Sequence, residues 1–326
     1  DNLVFPLDSL NGRIVQNANR TLAVITSDIA NVKLDGNVHL GDIATELQQH
    51  LDRYFDVPGI RYVANSADRH FTYSLQLKDP KLATKLVPGL KQISPFTLAG
   101  DYSRRAARLT AVTSIPIIRY QNYKLDSLRL NVDSDPQKLD YALRLAQAAQ
   151  DSTLQLRRPS AIGNIANNKV YSRVAILGDS ANRERLALAG TLGTRMQGKD
   201  VVYEFVAALK QVINYQDWTA GPNNYVRYYP SGAVVANGLN LTNGRSSLAL
   251  QSQNPAVPTS PLGVTFINFE LAELARIVQQ QDSLVAGTLN GTARIDNLGT
   301  KRQAFTADAT VKNLVLQKAL IGDIAL

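Results

Sequence analysis

Strand-length runs in which apolar and polar residues alternate recur from one end of this chain to the other. That period restricts it to sheets with one apolar and one wet face. Tyr73, Leu75 and Leu77 fall on one side of such a run. Leu128, Leu130 and Val132 fall on one side of another, with Ser127, Arg129 and Asn131 between them. The same spacing joins Leu154 to Leu156, Val174 to Ile176, Leu186 to Leu188, Leu239 to Leu241 and Leu248 to Leu250. Near the end, Gly287, Leu289, Gly291, Ala293 and Ile295 share one side, and Phe305, Ala307, Ala309 and Val311 another. The phase slips at Asn313 before Leu314 and Leu316 resume it, which predicts a bulge there.

Two phrases repeat along these runs. One ends in Gly-Asp, at Leu40-Gly41-Asp42, Leu177-Gly178-Asp179 and Ile321-Gly322-Asp323. The other is Leu-x-Gly, at Leu34-Asp35-Gly36, Leu188-Ala189-Gly190 and Leu289-Asn290-Gly291. Read as turns and corners, they predict a long sheet built by accretion: one continuous β segment over residues 1–326, with sub-segments at 1–150 and 151–326. Asn-Gly at 237–238, 243–244 and 290–291 supplies turn or bulge chemistry, and Asn243-Gly244 predicts a hairpin joining the Leu239/Leu241 and Leu248/Leu250 strands. The proline-rich stretch Ser252 to Pro261 predicts a loop between sheet segments.

Few helices are expected. Asp42 is placed to cap a helix carrying Ile43, Leu47, Leu51 and Tyr54, which stops before Pro58-Gly59. A short one starts at Asp79-Pro80 with Leu82 and Leu86. Helical spacing also predicts helices over Gln137 to Gln150 and Glu270 to Gln280, inserted as lids between strands. Val201 to Ile213 fits either period and leans to strand.

Composition narrows the chemistry. The chain has no cysteine, which excludes disulfides, thiolate metal sites and a cysteine nucleophile. Its net charge of +8 is spread out, with small groups at Arg104, Arg105 and Arg108 and at Arg157-Arg158, so no nucleic-acid surface is expected. No run of 18 uncharged apolar residues offers a membrane span, and no leader opens the chain, which reads as a piece of a longer protein. The run Gly193 to Lys199 has phosphate-loop spacing, but Asp200 stands where a hydroxyl should hold magnesium. The histidines, His39, His50 and His70, lack zinc-ligand spacing, and His50 falls on the polar side of the first helix as a solvated or half-buried residue. Asp133 with Asp135 frames Pro136 as a turn and helix start, and Glu270 with Glu273 fits the first turn of a helix. Trp218, Tyr225, Tyr228 and Tyr229 read as an aromatic cluster, and Asn290-Gly291-Thr292 as a turn. No metal, cofactor or catalytic constellation is expected, and the chain reads as a non-enzyme.

Three stretches together resemble the TamB family (translocation and assembly module subunit), within the wider AsmA-like group of envelope proteins. They are Ser27 to Gly36 leading into the Ile43-to-Phe55 helix; Asn214-Tyr215-Gln216-Asp217-Trp218 through Asn224-Tyr225-Val226 to Leu250; and Gly287 through Leu316 to Gly322-Asp323. The resemblance implies a long sheet curled into an open U-shaped groove, or β-taco, with an apolar inner face and a few short inserted helices. It implies residence in the periplasm of a Gram-negative envelope. It also implies partners met through regions not in this sequence: the inner membrane through an N-terminal anchor, and an Omp85-type outer-membrane barrel through a C-terminal region.

Two functions follow from the resemblance. One is conduction of phospholipid acyl chains between inner and outer membranes along the groove. The other is a scaffold or chaperone for outer-membrane β-barrels and autotransporters. Hydrocarbon gains about 0.8 kcal/mol per CH2 on leaving water, so a greasy track removes most of the barrier to lipid crossing. The expected lining is Leu128, Leu130, Leu239, Leu241, Leu248, Leu250, Leu289 and Ile295. A charge at Leu241 or Leu250 is expected to block transport and leave folding intact. A third class, an adhesin or carbohydrate-active protein, would need a closed core and a cleft near Trp218.

Overall fold

A computed structural model describes residues 9–17, 19–56, 68–151, 154–178, 182–273 and 285–325. The fold is mainly β, with 65% of residues in strands and 8% helical. All recorded strand pairs are antiparallel, as short connections between alternating runs require. The chain divides into two compact units, Asp1–Asn168 and Lys169–Leu326. The boundary falls at a turn where Asn167 and Asn168 both take positive φ. The division expected at residue 150 lies inside the first unit instead. The strand after it pairs back with two earlier ones, which ties residues 154–166 to what precedes them.

In the first unit β1 (Leu10–Gln16), β2 (Thr21–Ser27), β3 (Ala30–Gly36) and β4 (His70–Leu77) pair in sequence. β4 pairs with β6 (Phe96–Ser103). β6 and the short β5 (Leu90–Ile93) then share one partner, β7 (Arg108–Tyr120). Next comes β8 (Tyr123–Ser134), flanked by β9 (Leu139–Arg144) and β10 (Gln147–Gln150), and both of these pair with β11 (Leu154–Ala166). The helices are α1 (Ile43–Asp52), entered through a 3₁₀ turn at Leu40–Asp42, and α2 (Lys81–Leu86). Both fall where expected. Asp42 is already in the turned conformation and makes no side-chain cap. The carboxylate of Asp79, two residues before α2 begins, accepts the Lys81 amide at 2.9 Å.

The helix expected over Gln137 to Gln150 is absent: β9 and β10 occupy it. Leu139 and Leu143 are four apart, but with Tyr141 they also stand two apart, and pairing on both sides selects the strand period. Asp135 accordingly frames a turn and no helix, its carboxylate accepting the amides of Gln137 and Lys138.

A crease crosses this sheet. Pro116 interrupts β7 between Ile115 and Ile117, because proline has no amide for the ladder. Opposite it, Ser127 has φ 53°, and Arg158 in β11 has φ 45°. Between them the β9–β10 break is bridged by the Ala146 amide to the Asp126 carbonyl and the Arg158 amide to the Ala146 carbonyl. Irregularities aligned across neighbouring strands bend and twist a sheet more sharply than isolated ones.

The second unit follows the same plan. β12 (Lys169–Leu177) pairs with β13 (Glu184–Gln197), which is flanked end to end by β14 (Asp200–Ala207) and β15 (Lys210–Ile213). Val201 to Ile213 is therefore strand, broken at 208–209. β15 pairs with β16 (Gln216–Ala220), then β19 (Leu239–Thr242). β14 pairs with β17 (Tyr225–Tyr228), then β18 (Val234–Asn237). From β19 the order runs through β20 (Ser247–Ser252), β21 (Leu262–Glu270), β22 (Val285–Asp296), β23 (Ala304–Leu316) and β24 (Ala319–Ala325). Residues 243–246 form the expected hairpin, and the proline-rich stretch joins the adjacent strands β20 and β21. The bulge at Asn313 is present: its φ is 51° and the β23–β24 register shifts around it. Of the helix expected over Glu270 to Gln280, Glu270 ends β21, 271–273 are helical, and the rest lies outside the described residues.

Side-chain amides stitch the crease of this unit. Gln211, buried, accepts the Ala189 amide at 2.8 Å and donates to the carbonyls of Ala189 and Ala208. Asn224, also buried, accepts the Ala207 amide at 2.8 Å and donates to the carbonyls of Ala207 and Gly221. Each amide imitates a peptide unit and fills the rung that the strand break leaves open.

The repeated phrases turn out not to share one corner. Gly41 lies in the 3₁₀ turn, Gly322 inside β24, and Asp179 outside the described residues. In Leu-x-Gly the glycine permits close approach. A methyl at Gly36 would overlap the Phe71 backbone, one at Gly190 the Phe205 ring, and one at Gly291 the Ala309 backbone. Asn290-Gly291-Thr292 is thus strand interior, not a turn.

Candidate functional site: the apolar faces of the two sheets

Register carries one face across the first unit. Ala23, Leu34 and Tyr73 stand opposite one another on β2, β3 and β4, and Leu75 pairs with Leu98 of β6. Leu98 meets Thr113, Thr113 meets Leu130, and Leu130 meets Leu143. Leu128 pairs with Ile115 on the same side. Ile25, Val32, Leu75, Leu98, Leu128, Leu130 and Leu143 are part-buried, neither sealed nor fully exposed. The opposite side carries Arg20 with Asp35, Arg108 with Asp101, and Asn31 with Gln76.

One end of this face is roofed by α1. Beneath it lies a cluster of Ala23, Leu34, Val38, Phe71 and Tyr102, with Ile43, Leu47, Tyr73 and Leu109 against it. Of the expected stripe, Ile43 and Leu47 pack against this cluster and Tyr54 is buried, while Leu51 is left out and polar residues take its place. Glu46, His50 and Tyr54 are 1%, 2% and 2% exposed, whereas Leu51 is 38% exposed. The Glu46 carboxylate accepts from Arg104 at 2.5 Å and from the Tyr102 hydroxyl at 3.1 Å. His50 Nε2 lies 2.9 Å from Ser134 Oγ, which also accepts the Leu109 amide at 2.7 Å. The Tyr54 hydroxyl donates to the Asp135 carbonyl at 2.7 Å. Burial, helped by the nearby Arg53 charge, pushes the His50 pKa down to about 4. Burial and then Glu46 push Tyr102 up to about 12.

His50 is therefore a buried neutral group, not a solvated one. The Ser134–His50 pair resembles a nucleophile and base, but both are closed off and Ser134 Oγ is tied to the β7 backbone, so it fastens a helix. Reasoning from an apolar stripe finds Tyr54 but misses Glu46, His50 and Ser134. The spacing of Glu46, His50 and Tyr54 in steps of four, together with Ser134 in phase with Leu130 and Val132, was the signal available.

In the second unit Leu239 pairs with Leu250 and Leu241 with Leu248. Leu250 meets Val264, which meets Ala293; Leu248 meets Phe266; Leu262 meets Ile295. Past a bulge at Asn268, Phe269 meets Leu289. The expected lining residues of this unit thus share one face. They differ in what covers them. Leu241, Leu248 and Leu289 pack against a cluster of Ile213, Trp218 and Phe269, so the unit's own rings fill the face there. Leu239, Leu250 and Ile295 are part-buried and outside that cluster. Along β13 and β14 the same face becomes openly apolar: Leu188, Leu192, Met196, Tyr203 and Phe205 are exposed, as is Tyr228 across from Tyr203.

The aromatic residues expected to cluster are split. Trp218 joins the cluster just named, Tyr229 and Tyr225 pack with Val202, Ala233 and Val235 on the other face, and Tyr228 is exposed. Glu270 is in a strand, where its carboxylate accepts the Thr288 hydroxyl, and Glu273 is buried in the helical turn that follows. The phosphate-loop spacing falls in the β13–β14 hairpin. A cavity of about 440 Å³ lies among Gln251, Gly263, Thr265, Thr292, Arg294 and Asp308, which are mostly on the polar side of β20–β23.

Among the described residues, no helix is long and apolar enough to cross a membrane, and no group of three or more His, Asp or Glu is placed to hold a metal ion. No family model, curated protein or solved structure matches this chain.

Proposed function

We propose that this chain carries hydrocarbon along apolar sheet faces, as a periplasmic segment of a TamB-like envelope protein that conducts phospholipid between the inner and outer membranes. The observation that supports the reading is the state of the lining side chains. Leu128, Leu130, Leu239, Leu250 and Ile295 form in-register apolar surfaces, yet none is buried. A folded domain ordinarily seals such surfaces, and each buried leucine contributes about 2 kcal/mol. A face left unsealed over several strands is suited to a mobile apolar guest, and moving that guest along it needs no acid, base or nucleophile. Reading the chain as a non-enzyme whose partners are acyl chains, an inner-membrane anchor and an Omp85-type barrel follows from the same proposal.

The test is site-specific photo-crosslinking from Leu130 and Leu250 in cells. Phospholipid adducts are expected at both positions. Adducts to unfolded barrel polypeptide, with none to lipid, would move the assignment to the scaffold function. A feature of the edges keeps that second reading in view. β1 is exposed along its whole length and pairs only with β2 among the described residues, so its free edge can accept a client strand.

A further inference from the structure

A helix usually docks on a sheet through its apolar stripe. α1 does so only in part: Ile43 and Leu47 pack on the cluster below, but the fully buried positions are Glu46, His50 and the Tyr54 that follows, and Leu51 faces water. The hydrogen bonds that key it come from strand ends and the turns beside them. The end of β6 and the turn after it supply Tyr102 and Arg104, and the end of β8 and the residue after it supply Ser134 and the Asp135 carbonyl. Arg104 also donates to Gln49, which fixes the helix along the sheet. What α1 hides is apolar. Leu34, Phe71 and Tyr102 lie beneath it, and Leu109 at its rim is two residues from Ala111 and four from Thr113 on the open face.

We propose that α1 is a releasable roof over one end of the first unit's apolar face, keyed by His50 and by the Glu46–Arg104 pair, and that its release uncovers the Leu34–Phe71–Tyr102 surface for an acyl chain. That the guest is an acyl chain rests on the reading above; that the roof lifts does not.

Two physical points carry the proposal. Groups that must be desolvated to dock regain their water on release, so a polar stripe leaves a smaller gap between docked and released helix than an apolar one. His50 also links that gap to protons. The charged groups facing it are Glu46 on α1, Arg53 just after it, Arg104 just after β6 and Asp135 after β8, with the hydroxyls of Tyr54 and Tyr102 alongside. Glu46 is taken up by Arg104 and Tyr102, and His50 Nδ1 is buried without a partner, so no carboxylate is bonded to an imidazolium in the docked state. Acid therefore favours release.

Amide hydrogen exchange on the intact chain tests this, at about pH 7.5 and about pH 5 after correction for intrinsic rates. Peptides spanning 43–52 are expected to lose protection about tenfold at the lower pH, while β3, β4 and β6 keep theirs. His50→Leu should abolish the pH step, and His50→Gln serves if the leucine variant does not fold. Protection of 43–52 that ignores pH, loss shared with β4, or a pH step that survives in the folded variant would each overturn the roof. A second arm places a photo-crosslinking residue at Leu109 or at Leu130 and adds vesicles of phosphatidylethanolamine and phosphatidylglycerol. Adducts are expected at Leu130 at both pH values and at Leu109 only near pH 5. An exchange step with no adduct at either position would leave the roof and remove the lipid. Adducts at Leu130 without an exchange step would do the opposite.

Discussion

At the scale of single residues, the polar groups under α1 dominate the energetics of the first unit. Glu46 has a side chain 2% exposed and Arg104 one 18% exposed, so removing the carboxylate leaves a largely buried guanidinium without its partner. Glu46→Ala is expected to cost about 3 kcal/mol in urea unfolding. The exposed Arg20–Asp35 pair is well formed, yet Asp35→Asn should leave the unfolding midpoint where it is. His50 adds a pH dependence of definite sign. Its pKa falls from 6.5 to about 4 in the folded state, so the unfolded chain binds the extra proton. The stabilisation is complete above about pH 6.5 and is lost as pH falls toward 4, by up to about 3 kcal/mol. Thr113 is the converse case. Its hydroxyl has no partner and sits between Leu98 and Leu130, so Thr113→Val should be neutral or stabilise by about 1 kcal/mol in the same assay.

At the scale of elements, the creases and the strand periods carry the architecture. Gln211 and Asn224 each replace a missing rung, and Gln211→Ala or Asn224→Ala takes away the acceptor of the Ala189 or the Ala207 amide. A loss of about 2 kcal/mol is expected for each, with faster amide exchange confined to the affected strand break. These roles were not legible beforehand, because a polar residue between strands reads as loop whether its amide is solvated or stitched into the ladder. The strands were legible wherever apolar residues recur two apart, and so was the Asn313 bulge, where the phase slips. Leu139, Tyr141 and Leu143 show the limit. Two steps of the strand period equal four residues, close to one helical turn, and only cross-strand partners decide between them. Leu-x-Gly was misread for a related reason: glycine marks both turns and close strand approach, and the local sequence is the same for both. The lining was legible from parity alone, since side chains two apart share a face. What covers that face depends on residues far away in sequence, such as Trp218 and Phe269 over Leu241.

At the scale of the whole molecule, the question is how much apolar surface stays available. The chain exposes 19074 Å². Two compact globules of half its mass would expose about 16,000 Å² together, so the chain exposes more surface than two sealed globules. The faces are not uniformly open, and that separates two substitutions that the sequence treats alike. Leu250 is part-buried and outside the aromatic cluster, so Leu250→Arg can direct its guanidinium to water and should cost no more than about 1 kcal/mol. Leu241 packs against Ile213, Trp218 and Phe269, so Leu241→Arg forces a charge into that cluster and should cost about 3 kcal/mol or more. Only Leu250→Arg therefore tests transport cleanly, with Leu130→Arg as its counterpart in the first unit. Both variants are expected to unfold near the wild-type urea midpoint, yet to fail in lipid delivery and give no lipid adducts from neighbouring positions. If both fold normally and deliver lipid at the wild-type rate, the apolar faces are not the path. The free edge of β1 then becomes the surface through which the chain acts.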